Sequence, residues 1–303
     1  MTRARDFLEV DDLDPPALEA LLARAESWKH AADGVPPLLA GRGVAMVFEK
    51  PSARTRASTE MAAATLGAHP VYLRAEEVGI GTRETVEDVA RTLAAYCAIL
   101  CARVFDHETL EAMAAAIDVP VVNLLSDRAH PCQALADLLT LRELFGTLDG
   151  RRVAYVGDGN NVAASLAFAA ALCGLELTIA SPPGYALDDD VVERARNLGG
   201  AVELTADPYE AVRDVDAIYT DVWTSMGQEE EQERRRAAFA GYTVDRALMA
   251  AAGAGARFLH CLPAHRGEEV TADVIDGPQS AVWLQAANRM HATRALLAEL
   301  GGA

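Results

Sequence analysis

Short apolar runs alternate with amphipathic stretches along nearly the whole chain. Val44 to Phe48 is unbroken apolar sequence, which reads as a buried strand, and Ala57 to Leu66 after it is an alanine-rich helical stretch. Strand signals return at Pro70 to Leu73, Ala98 to Ala102 and Val119 to Leu125. Helical patterns over Arg83 to Tyr96 and about Glu108 to Ala116 separate them, and a long helix from Cys132 to Phe145 follows. Ahead of these, Asp14-Pro15 reads as an N-cap with proline at the first helical position, and Leu18, Leu21, Leu22, Ala25 and Trp28 share one face of the helix it opens.

After Gly146 to Gly150 the alternation restarts. Strands are expected at Val153 to Val156, Leu175 to Ala180, Ala201 to Thr205, Ala217 to Asp221 and Arg257 to Cys261. Helices are expected at Val162 to Leu172, Asp189 to Leu198, near Pro208, at Thr271 to Ile275 and from about Asn288 to Leu300. Alternation twice over predicts an α/β protein of two doubly wound domains with mainly parallel sheets. The expected boundaries are 1–145, with the C-terminal helix 288–303 packing back on it, and 146–287. Ligands of such sheets lie beyond the carboxyl ends of the strands, so the expected active site is the cleft between the domains.

The 303 residues allow two domains and a substantial core. No apolar run approaches the roughly 18 residues of a membrane span, and Met1 to Asp6 leads into acidic residues rather than an apolar signal core, so no export is expected. Five scattered cysteines with no metal spacing read as reduced thiols, which predicts a cytoplasmic protein. A net charge of −18 argues against nucleic-acid binding and requires any anion site to be built locally. The acidic-then-basic run Glu229 to Arg236 is expected as a solvated loop or helix face.

Such a site is legible after the first strand. Pro51 breaks the run, and Ser52, Arg54, Thr55 and Arg56 supply hydroxyl and guanidinium donors where a helix begins. The plainer alternative is a helix capped by Ser52 beside two solvated arginines. Other strand ends carry Arg103, then His130 and Gln133, donors suited to a carbonyl oxygen or an amide, although His130-Pro131-Cys132-Gln133 is equally a capping pattern. In the second half, Gly157-Asp158-Gly159-Asn160-Asn161 invites a dinucleotide reading. It is weak: Val162 replaces the third glycine and no acid ends the next strand. Asp221 at a strand end is suited to an amine, or to an Asx-turn, and Cys261 to chemistry or to simple burial.

Together, Phe48-Glu49-Lys50-Pro51-Ser52-Ala53-Arg54-Thr55-Arg56, His130-Pro131-Cys132-Gln133, Gly157-Asp158-Gly159-Asn160-Asn161, Asp221-Val222-Trp223-Thr224-Ser225-Met226-Gly227 and His260-Cys261-Leu262-Pro263 resemble the ornithine branch of the aspartate/ornithine carbamoyltransferase superfamily. The resemblance implies transfer of the carbamoyl group of carbamoyl phosphate to the side-chain amine of L-ornithine, giving L-citrulline and phosphate in arginine metabolism. It implies that Ser52, Ala53, Arg54 and Thr55 bind phosphate, and that Arg103 bridges phosphate and carbonyl. His130 and Gln133 would hold the carbamoyl group, as would the Leu262 carbonyl, and Arg289 would complete that set. Asn161, Asp221, Ser225 and Met226 would bind ornithine, with Cys261 assisting proton loss from the amine. The catalytic set would be Arg103, His130, Asp221 and Cys261. A homotrimer or multiple of trimers, no metal, no cofactor and no membrane or nucleic-acid partner are also implied.

Three positions depart from the family pattern. Ala53 stands where threonine is common, Gly79 where a glutamine reaches the neighbouring subunit's substrate, and Ala287 where glutamate precedes Asn288-Arg289. Thr82 or Arg83 is a candidate substitute for the missing glutamine. Carbamoyltransferases for putrescine or an N-acylated ornithine, a nicotinamide dehydrogenase and a non-catalytic carbamoyl phosphate sensor are the rival readings.

Overall fold

The apolar runs form nine parallel strands in two sheets of a computed structural model that describes residues 6–31, 34–224 and 229–302. In the first sheet β1 (Gly43–Phe48), β2 (His69–Arg74), β3 (Ile99–Arg103) and β4 (Val121–Leu125) lie in the order β2-β1-β3-β4. In the second, β5 (Arg152–Val156), β6 (Glu176–Ala180), β7 (Ala201–Thr205), β8 (Ala217–Thr220) and β9 (Arg257–His260) lie in the order β7-β6-β5-β8-β9. The chain divides into two compact units, Met1–Leu139 with Ala287–Ala303, and Thr140–Ala286.

Parallel pairing follows from the helices between strands, because a chain that crosses over a sheet face re-enters in the same direction. Such strands are covered on both faces, which is why β1 and β3 read as continuous apolar runs rather than alternating ones. Their core includes Val47, Ala90, Leu100, Ala102, Leu110 and Met113. The second unit packs Ala154, Val156, Ile218, Phe258, Trp223 and Phe239, the last two with rings stacked 5.5 Å apart.

In each sheet the winding reverses direction once. The reversal falls between β1 and β3 in the first and between β5 and β8 in the second. At these points adjacent connections leave on opposite faces, so the strand ends open a crevice lined by polar residues. The residues singled out from the sequence follow those strand ends.

Four local differences from the sequence reading have identifiable causes. The helix after β1 begins at Ala53 rather than Ala57, because the Ser52 hydroxyl accepts the Thr55 N–H at 3.3 Å and caps it there. The helix expected from Arg83 begins only at Val86, capped by Thr85, because a short helix over Ala75–Val78 is followed by a turn over residues 79–84 around Gly79 at φ 77°. The last helix begins at Val282, and Gln285 of its extra turn accepts the His260 N–H at 2.8 Å. The Glu229 to Arg236 run is a 3-10 turn followed by the helix Gln232–Ala238, and Arg235 within it is buried rather than solvated.

Candidate active site

The first half-site grows from the Ser52 cap. With Ser52 at the cap, Arg54 and Thr55 fall in the first helical turn, where backbone N–H groups have no partner inside the helix. The Thr55 hydroxyl, itself buried, is the node of the cluster. It takes the Ser52 hydroxyl at 3.1 Å, Arg103 Nη1 at 3.4 Å and Arg289 Nη2 at 3.3 Å. Arg103 ends β3 and Arg289 comes from the last helix, so residues more than 180 positions apart in sequence converge on one hydroxyl.

Gln133 fixes the second arginine. Its Oε1 accepts from Arg289 Nη1, and its Nε2 donates to Asp137 Oδ1 at 2.6 Å. His130 is buried beside this cluster, and its carbonyl accepts the N–H groups of Gln133 and Ala134 at the start of the helix Pro131–Phe145. Burial, reinforced by the positive charges of Arg289, Arg103 and Arg54, holds its imidazole well below the usual histidine range. It is therefore a neutral ring among guanidinium groups at physiological pH. Buried positive charge beside a helix start favours an anion.

Arg56 does not join this group, contrary to the sequence reading. It pairs with Glu60 at 2.8 Å and lies over the Tyr72 ring at 3.6 Å. Two residues along a helix from Arg54, it points to the far side. Gly79, Thr82 and Arg83 form their own turn: Thr82 Oγ1 donates to the Gly79 carbonyl and Arg83 Nη2 to the Glu77 and Val78 carbonyls.

The second half-site is built on three neighbouring strands. Asp221 follows β8 and is buried; its Oδ2 accepts from Asn160 Nδ2 at 3.0 Å and its Oδ1 from the Cys261 thiol at 3.0 Å. Cys261 follows β9. His260 before it is locked, because the main-chain N–H of Leu262 donates to Nδ1 at 2.8 Å while Nε2 donates to the buried Glu269 at 3.1 Å. These bonds hold Leu262 in the left-handed region at φ 63°. Asn161 is the first residue of the helix Asn161–Cys173, which Asn160 caps. Ser225 and Met226 lie outside the described residues.

The Gly157 to Gly159 turn is closed to a dinucleotide. The Gly159 N–H donates to the Tyr185 carbonyl at 2.8 Å, and a β-carbon on Gly159 would stand 2.2 Å from the Leu187 nitrogen. Backbone therefore fills the place that a pyrophosphate needs. Asp221, His260 and Cys261 bring candidate metal-ligand atoms within 4.8 Å of one another, but both ring nitrogens of His260 are engaged. The other such cluster, His265, Glu268 and Glu269, is tied to internal partners: Glu269 serves His260 and Glu268 pairs with Arg236.

Sequence reasoning missed Arg235. Its guanidinium pairs with Asp158 at 2.8 Å, donates to the Trp223 carbonyl at 2.9 Å and lies 5.0 Å from the Tyr185 ring centre. Burial pushes the Asp158 carboxyl up, while Arg235 pulls it back down. The run of charges around Arg235 gave no sign that one of them turns inward. The Glu269–His260 lock was missed as well, since no spacing rule links an acid nine residues downstream to a strand-end histidine.

Family models match both halves of the chain. Residues 5–143 match the aspartate/ornithine carbamoyltransferase carbamoyl-P binding domain, and 149–300 the Asp/Orn binding domain of the same family. An ornithine carbamoyltransferase of Acidothermus cellulolyticus is 54% identical over 300 residues, covering 98% of this chain and 96% of that protein. An anabolic ornithine carbamoyltransferase of Pyrococcus furiosus is 48% identical over 304 residues, covering 98% and 96%. The solved ornithine carbamoyltransferase of Pyrococcus furiosus superposes with a TM-score of 0.95 at 47% identity, covering 99% of this chain and 97% of that one. That of Thermus thermophilus gives 0.90 at 47%, covering 98% and 99%.

Proposed function

The chain belongs to the aspartate/ornithine carbamoyltransferase family, and on that footing we propose that it carries the carbamoyl group of carbamoyl phosphate to the side-chain amine of L-ornithine, forming L-citrulline and phosphate. The direction is the biosynthetic one that the name of the Pyrococcus furiosus relative gives, toward arginine. The observation that carries this reading is the convergence of Arg103 and Arg289 on Thr55 beside a neutral, buried His130.

The chemistry calls for such a cluster. As the amine nitrogen attacks the carbonyl carbon, negative charge grows on the carbonyl oxygen; as the carbon–oxygen bond to phosphate breaks, the electron pair leaves with the phosphate. Ser52, the Ala53 N–H, Arg54 and Thr55 cradle the phosphate, and Arg103 spans phosphate and carbonyl oxygen. His130, kept neutral, donates from one ring nitrogen without adding a charge that would over-bind the ground state. Gln133, engaged at both ends of its amide, orients Arg289 and meets the carbamoyl group by exchanging one of those bonds. The Leu262 carbonyl accepts from the carbamoyl NH₂.

Ornithine's side-chain amine is mostly protonated at neutral pH, having a lysine-like pKa of about 10.4. Asp221, with Asn161, Ser225 and Met226, binds the amino acid, and the Asp221–Cys261 pair receives the proton that the amine sheds. The reading includes a homotrimer or a multiple of trimers, and a cytoplasmic setting that the five reduced cysteines support.

A citrulline colour assay on the purified protein tests this, with ornithine, putrescine and N-acetylornithine offered in parallel. Citrulline from ornithine alone is expected. Turnover of only another amine, or none at all, overturns the assignment. Light scattering on a sizing column tests the trimer.

A further inference from the structure

We infer that Asn160 is a positioning residue for the amine-binding carboxylate: its amide sets the orientation of Asp221 and thereby the affinity for ornithine. The inference rests on the reading that Asp221 binds ornithine.

Asn160 does two things with one side chain. Its Oδ1 caps the helix Asn161–Cys173, accepting the Val162 N–H at 2.9 Å and the Ala163 N–H at 3.2 Å, and it takes the Tyr155 hydroxyl at 3.3 Å as well. The two main-chain N–H groups on the oxygen can only donate, and they fix which way the amide faces, because the reversed amide would set its NH₂ against both. The nitrogen is thereby committed to Asp221 Oδ2, at 3.0 Å. Burial keeps the Tyr155 hydroxyl protonated far into the alkaline range, so that donor persists at every working pH.

Capping alone does not account for asparagine here. Serine and aspartate cap about as well. Serine is too short to reach Asp221, and aspartate would set a second negative charge against it. Among these cap formers, asparagine both caps the helix and offers an N–H to a carboxylate. With Asn160 on Oδ2 and Cys261 on Oδ1, both oxygens are held from neighbouring strands, which fixes the plane of the carboxylate before substrate arrives. An acceptor already aimed loses less freedom when the amine binds.

The test is a pair of variants that keep the cap, Asn160→Ser and Asn160→Asp, assayed for citrulline with each substrate varied in turn and for thermal unfolding. A lost hydrogen bond to a charged group corresponds to roughly ten- to a hundredfold in binding. The KM for ornithine is expected to rise by about that factor in Asn160→Ser and further in Asn160→Asp, while the KM for carbamoyl phosphate stays within about twofold. The unfolding midpoint of Asn160→Ser should stay near the parent's, since serine also caps, while that of Asn160→Asp should fall because its carboxylate faces Asp221. If both keep the parent's KM for ornithine, Asn160 is a cap only, and if Asn160→Ser weakens both substrates equally its amide does not act through Asp221; either result overturns the inference. A parent protein that makes no citrulline would instead overturn the functional reading, and this inference with it.

Discussion

The Cys261 thiol lies 3.0 Å from Asp221 Oδ1, and the two residues follow adjacent parallel strands, β8 and β9. A thiol donating to a carboxylate is a short proton path, and it lies in the unit that matches the amino-acid-binding family domain. Replacing Asp221 by asparagine keeps the shape and removes the charge. Asp221→Asn should raise the KM for ornithine at least tenfold and the KM for carbamoyl phosphate far less, read by varying each substrate against saturating partner. Equal loss for both substrates would refute the separate roles of the two half-sites.

Arg103 offers the sharpest test of the other half-site. Removing one donor from a developing oxyanion costs about 10²–10³ in rate. Arg103→Ala should therefore lose at least that factor in kcat with its far-ultraviolet circular dichroism unchanged. A variant within tenfold of the parent would take Arg103 out of the oxyanion role.

The depressed imidazole of His130 makes stability depend on pH. A histidine kept neutral in the fold binds its proton more readily once unfolded, at the ordinary value near 6.5. Stability should then fall as the pH is lowered through about 6.5, by up to about 1.4 kcal/mol per pH unit for one such group. His107, lowered chiefly by burial, adds in the same direction. Denaturant melts of the parent and His130→Gln between pH 7.5 and 5.5 read this out. The variant should show the shallower decline, and parallel curves would show that His130 does not carry the effect.

Arg235 is a structural prediction independent of catalysis. Taking away one partner of a buried pair leaves the other charge uncompensated, at a cost of about 3–5 kcal/mol. Arg235→Met should lose stability on that scale in urea melts, and the double variant with Asp158→Asn should recover much of it. No recovery would mean that the loss comes from Glu231, the Trp223 carbonyl and the Tyr185 ring rather than from Asp158.

Gly79 answers a question that the sequence raised. The resemblance leads to glutamine being expected there, but the residue sits at φ 77° with the Arg83 β-carbon 2.8 Å from where its own would be. Gly79→Gln should destabilise the protein by about 1–2 kcal/mol for the left-handed backbone alone. A neutral or stabilising result would show that this turn rearranges without cost.

The two sheets were legible because strands covered on both faces leave unbroken apolar runs, as at Val44 to Phe48 and Val153 to Val156. The half-sites were legible because polar residues crowd the ends of those runs, which is where a doubly wound sheet presents ligands. The sequence offers Thr55 as one anion donor among several; its place as the meeting point of two distant arginines is not legible there, since nothing local connects position 55 with 103 or 289. The inward turn of Arg235 escaped for a related reason. A buried guanidinium is recognised by its partner, and Asp158 stands 77 residues earlier. Arg56 misled because a count of donors in a row ignores that a helix sends alternate residues to opposite sides.

Asn160, Asp221 and Cys261 come from the ends of three strands that lie side by side, each more than 35 residues from the next along the chain. A duplicated gene could accordingly acquire a taste for a different amine through a few scattered point changes at those termini. The machinery that activates the donor would be inherited untouched, a ready starting stock for new catalysts of the same transfer.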